Sequence, residues 1–267
     1  MDSSRTTTER SIAGNVLDGI PFKRRNFPGN LNRHTLAYLI NIILTASIVI
    51  MQVNEVYDVA LKKGISNIYH ANSLATSISF LKLNSLASRK HVASSGLAQT
   101  AQYTDSSDKE LNVWDDIFLD TVDIHKRASN RNNYGPILFI FNISIILSAT
   151  GALITKTNPS KWNTSKKNED RYFTNAKELE AGWDIGNFDQ MITLQTTNGT
   201  IPLDENFLSI LIDDPVAGEF PSKDFMRVQE SISNFTNRQI TRRQCAPWCK
   251  CKKDYQESWI LSKMFTV

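Results

Sequence analysis

Two apolar stretches without a single charged residue, 36–53 and 136–155, constrain this chain more than anything else in it. As α-helices they would reach roughly 27 and 30 Å, against a bilayer hydrocarbon core of about 30 Å. The fold class this predicts is a membrane protein with two transmembrane α-helices, a helical inter-span segment and a small α+β C-terminal domain. The expected parts are a basic N-terminal tail (1–35), a first span (36–53), an inter-span region (54–135), a second span (136–155) and a C-terminal region (156–267). The competing reading of either run is a buried core helix of a water-soluble domain, where runs of this length are uncommon. A mean hydropathy of −0.30 fits a chain with most of its mass outside lipid.

Charge sets the expected topology. The tail to Arg33 carries six Lys or Arg against three acids, and Lys156, Lys161, Lys166, Lys167 and Arg171 follow the second run. The positive-inside tendency then places both tails on the cytosolic side. Three glycosylation sequons, at Asn163, Asn198 and Asn234, pull the C-terminal region toward a lumen instead.

Polar residues inside the runs point to neighbouring helices. Tyr38, Asn41, Thr45 and Gln52 recur at helical spacing along the first, and Ser144, Ser148, Gly151 and Thr155 form a small-residue stripe along the second. Asn142 sits about 160° around a helix from that stripe, so a hairpin of the two spans leaves its amide to a further helix. The helix-packing candidates are therefore Asn41, Thr45, Gln52, Asn142, Ser144, Ser148 and Gly151.

Between the runs, Tyr57, Leu61, Ile65 and Ile68 keep helical spacing, with Gly64 as a weak point. Ser107 to Glu110 has the form of a capping box, opening a helix with Leu111, Trp114, Phe118 and Val122 on one face. Asp115, Asp116, Asp120 and Asp123 on its other faces read as a solvated surface, since no calcium-loop pattern accompanies them. Farther on, Asn175 caps a short helix. Met191 to Leu203 reads as a β-hairpin turning at Asn198-Gly199, and Phe207 to Ile212 adds a strand. Phe225, Val228, Ile232 and Phe235 mark an amphipathic helix.

Cys245, Cys249 and Cys251 are candidates for a disulfide or lipidation, because zinc would need a fourth ligand and every His is distant in sequence. The chain lacks a phosphate-binding glycine loop, a His-Glu-x-x-His and a Gly-x-Ser-x-Gly. Adjacent acids such as Asp213-Asp214 read as ordinary surface charge. No catalytic residue, cofactor or metal site is assigned.

The expectation is a non-catalytic integral membrane subunit or scaffold, oligomeric and a candidate for glycosylation, with membrane lipid and partner helices as its partners and no nucleic acid. Two alternatives accompany it. One is a two-span channel or receptor protomer; the other is a secreted precursor processed at basic clusters such as Lys23-Arg24-Arg25, Lys126-Arg127 and Arg242-Arg243.

Overall fold

A computed structural model describes residues 51–124, 134–214, 221–244 and 263–267, all within one compact unit, Ile48–Val267. The second apolar run is not a helix. It forms strand β4 (Ile137–Asn142), a six-residue 3-10 helix (Ile143–Ser148) and strand β5 (Gly151–Ile154), and Thr155 bridges to Tyr172. Ile137, Leu138, Phe139 and Phe141 are all buried, as a central strand covered on both faces requires. Such a strand reads as an unbroken apolar run, so length alone mimics a span. Asn142 ends the strand because its side-chain oxygen accepts hydrogen bonds from the backbone N–H and hydroxyl of Ser144, a local bond that competes with the ladder.

The order of elements is mixed. Helix α1 (Val53–Lys62) is followed by β1 (Asn67–Asn72), α2 (Leu74–Leu83), β2 (Ser85–Ala87), α3 (Arg89–Ser94), α4 (Asp105–Glu110) and β3 (Ile117–Leu119). After β4 and β5 come α5 (Asn168–Arg171), α6 (Ala176–Gly182), β6 (Ile192–Gln195), β7 (Thr200–Pro202), β8 (Phe207–Asp214), α7 (Lys223–Ser233) and β9 (Gln239–Gln244). One sheet has the order β1-β4-β8-β9, antiparallel except for the parallel β8–β9 pair, a second has β3-β6-β5, and β2 pairs with β7. Strands from the expected inter-span and C-terminal parts thus share sheets. The fold is a mixed α/β architecture, which replaces the expected two-span class.

The core lies between these layers. Phe139, Phe141 and Phe207 stack with centroids 4.9 to 6.4 Å apart, and Phe80 of α2 meets Phe139 edge-on. Helix α1 stops where Gly64 takes φ +75, so Ile68 enters β1 and not a continuing helix. Its buried face is Val56, Val59 and Ala60, while Leu61 is exposed. Helix α7 buries Phe225, Val228 and Ile232 as its spacing predicts, but Phe235 lies beyond its end and is exposed.

The capping-box helix is cut short at Glu110. Asn112 adopts φ +59, a turn that sends Phe118 into β3, where it pairs with Thr193. The expected hairpin also parts: its turn exists, yet β6 joins β3 and β5 while β7 joins β2. Long-range pairing partners decide those ladders, and a turn signal does not name them.

Candidate functional site

A cleft of about 350 Å³ opens beside the end of β1, the first turns of α2, the 99–104 loop, and the stretch from α4 to β3. Ser73 caps α2 by accepting from the Thr76 N–H, which fixes the turn between β1 and α2 at the cleft floor. Gly135 runs across this turn at φ +135, where an added Cβ would come within 2.1 Å of the Asn72 carbonyl oxygen. Only glycine fits there.

The walls combine aromatic rings with titratable groups. Phe80, Phe118, Tyr103, Trp114 and Tyr134 supply the rings, and Tyr103 stands 75% exposed at the surface. Arg89 and Lys109 both lie over the Trp114 indole, at 5.2 and 4.5 Å from its centroid. The Arg89 guanidinium is committed to Asp105, with Nε 2.8 Å from Oδ1 and Nη2 donating to Oδ2 at 2.9 Å, and it also donates to the Thr100 carbonyl.

His70 lines the cleft with a defined tautomer. Its Nδ1 is 2.7 Å from the Phe118 carbonyl, an acceptor, so Nδ1 carries the proton and Nε2 a lone pair. Burial drives its pKa down to about 4, and the distant Arg89 charge adds to that against the Phe118 hydrogen bond, so the ring is neutral at pH 7. Asp116 goes the other way. Burial lifts its carboxyl to about 7; the hydrogen bond from Gln195 Nε2 at 3.4 Å opposes this and the neighbouring Asp115 charge reinforces it. Burial likewise raises Asp108, with Thr104 and Arg89 opposing and Asp105 adding. Among the described residues neither Asp108 nor Asp116 makes an ion pair. Asp120, also in the wall, is buried.

The expected site residues are scattered elsewhere. Asn142 and Ser144 bond each other and Asn206 at the end of β4, Ser148 is exposed, and Gly151 packs against the Gln195 side chain. Gln52 precedes α1, its N–H donating to Glu55. Asn41 and Thr45 lie outside the described residues, as do Cys245, Cys249 and Cys251. Asn163, Asn198 and Asn234 are all exposed; the first two accept hydrogen bonds from Ser165 and Thr200 in their own turns. The cleft residues escaped sequence reading because Trp114, Asp116 and Phe118 were assigned to faces of one helix. No local signal ties them to His70 or Ser73.

No protein-family model matches the chain, and no curated protein matches it. Among solved structures it is similar to Thermus sp. 2.9 DarT in complex with ADP-ribosylated ssDNA, at TM-score 0.43 and 9% identity, covering 67% of this chain and 95% of that one. The same protein in complex with NAD+ gives TM-score 0.40 and 9% identity, with 67% and 96% covered, and in complex with carba-NAD+ 0.38 and 10%, with the same coverage. A likeness this slight transfers no activity to this chain.

The membrane expectation is corrected. The second run is strand and 3-10 helix, and no helix among the described residues is long and apolar enough to cross a membrane. The integral-membrane location, the non-catalytic subunit or scaffold, the channel or receptor protomer, and the lipid and partner-helix partners rested on two spans and are withdrawn. The first run lies, up to residue 50, outside the described residues, and Met51 is buried in the core. The expectations of no enzymatic activity and of no nucleic acid are withdrawn together with the two-span architecture they accompanied. The secreted-precursor alternative also loses ground at Arg242-Arg243, where both guanidiniums are engaged by buried carboxylates.

Proposed function

We propose that this chain binds a small planar molecule in the cleft and acts on it by proton transfer. The observation that carries the reading is that His70, Asp108 and Asp116 all line one aromatic cavity of about 350 Å³, within the size range of small-ligand sites. Strongly shifted titratable groups gathered in a cleft mark functional sites more often than structural ones. Asp116, with its pKa near 7, can give or take a proton at neutral pH, and the neutral His70 offers Nε2 as an acceptor.

A thermal-shift panel of nucleosides, aromatic amines and pyridine derivatives tests the reading, with NAD+ as one member on the same footing as the rest. Saturation at about 100 times Kd would stabilise the fold by about 2.7 kcal/mol, a shift of several degrees. Ala101 lines the cleft and is exposed, so Ala101→Trp should abolish the shift while leaving the unliganded Tm unchanged. A panel that moves neither protein sinks the proposal.

A further inference from the structure

We infer that the cleft selects an organic cation bearing N–H donors, of the amidinium type, over neutral and anionic molecules of the same shape. The inference rests on the proposed ligand-binding reading and goes on to the ligand's chemistry.

The donors are largely spent on the protein itself. Arg89 is turned onto Asp105 and the Thr100 carbonyl. The Thr100 hydroxyl donates to the Lys263 carbonyl at 3.0 Å and sits 2.6 Å from Ser73 Oγ, which in turn lies 3.1 Å from Thr76 Oγ1. The amides of Asn72 and Gln99 donate to the carbonyls of His70 and Arg89.

The acceptors are less fully used, although Asp108 accepts from the Thr104 side chain. Gln99 Oε1 is buried with no donor among the described residues. His70 Nε2 keeps its lone pair, because Nδ1 holds the proton. Asp116 has one long bond, from Gln195 at 3.4 Å, and neither it nor Asp108 meets a cation among the described residues. A buried acceptor left without a donor is costly, so a ligand that brings donors is favoured over one that brings acceptors. A positive charge adds to this by meeting a carboxyl and the face of an aromatic ring of the lining.

The charged and titratable groups around Asp116 are Asp115 beside it, Tyr172 after α5, Asp108, Asp120, Arg89, His70, Tyr103, Tyr134 and Lys263 around the cleft, and Lys109 over the Trp114 ring. Arg89 is offset by Asp105, so the carboxyls without ion pairs set the balance at the Asp108–Asp116 wall. Binding a cation there favours the ionised carboxylate, and Asp116 releases its proton as the ligand enters.

Benzamidine, benzamide and benzoate test the inference, being one shape carrying a cation, a neutral amide and an anion. Titration of the full chain followed by NMR should show benzamidine binding at least about tenfold tighter than benzoate, with benzamide between. Benzamidine affinity should rise several-fold from about pH 6 to about pH 8, across the range where Asp116 ionises, while the probe itself stays charged. Asp116→Asn should flatten that rise and reduce the preference about tenfold. Equal affinity for the three probes, or a rise that persists in Asp116→Asn, overturns the inference. If the three probes fail while a neutral or anionic member of the wider panel binds in the cleft, the ligand-binding reading stands and the cation falls. If no molecule of either set binds there, both fall.

Discussion

Two groups of enclosed carboxylates in this molecule are built on opposite terms. At the end of the parallel β8–β9 pair, Asp213 and Asp214 are almost wholly buried, and each meets a guanidinium: Asp214 the Arg242 Nε at 2.8 Å, Asp213 the Arg243 Nε at 2.7 Å. Arg243 also reaches Asp123, which joins the segment after β3 to β9. In the cleft, Asp108 and Asp116 have no such partner among the described residues. The contrast teaches that burial of an acid by itself is no mark of function. Where each charge is matched, the cluster fastens one element to another; where the match is missing, the carboxyl is held in a raised-pKa state that a ligand can relieve.

The largest test breaks the matched cluster. Arg243→Ala leaves Asp213 and Asp123 enclosed without that guanidinium and should cost about 3 to 5 kcal/mol at neutral pH, measured by urea unfolding. A cost below about 1 kcal/mol would mean that water replaces the arginine and that the cluster is no fastening.

His70 sharpens the cleft side. Its folded pKa, about 4, lies below the ordinary value of 6.5, so the folded state binds fewer protons than the unfolded one between those values. Its stabilising contribution is full above about pH 6.5 and is lost as pH falls toward 4, a loss of about 3 kcal/mol that His70→Gln should not show. Unfolding curves at several pH values for both proteins measure it.

Asp116 should give the opposite sign from His70. Its folded pKa, about 7, exceeds the ordinary 3.8, so the folded state holds the proton longer and stability falls as pH rises from about 4 to 7, then levels. Asp116→Asn removes that penalty. It should stabilise the fold by on the order of 2 kcal/mol at pH 8, after allowance for solvent reaching the carboxyl through the cleft, and change little at pH 4. Destabilisation at pH 8 would place a hidden partner on Asp116.

The smallest effect belongs to an acid next door. Asp115 is held below its ordinary pKa although burial pushes it upward, because hydrogen bonds from Lys90 and Ser88 outweigh that push. The pair is solvent-exposed, so Lys90→Ala should cost no more than about 1 kcal/mol and less in high salt.

Legibility in the sequence followed the range of the forces. The Asn175 cap, the α7 stripe of Phe225, Val228 and Ile232 and the turn at Gly199 all rest on contacts within a few residues, and each is found where the residues place it. The Asp115–Asp116 pair and Trp114 were visible as residues but not as a site, since the helix assigned to them ends at Glu110. Asp213 and Asp214 looked like surface charge because Arg242 and Arg243, about thirty residues on, could not be paired with them from order alone.

The apolar run at 136–155 shows where the division falls. Sequence by itself determined that these residues must leave water. Tertiary structure decided what covers them. A bilayer and a protein core reward the removal of apolar surface in the same way, and a strand sealed on both faces carries no alternation to betray it. The choice of strand over helix came from β1 and β8, which offer the Ile137–Asn142 backbone its hydrogen-bond partners from about seventy residues away on either side.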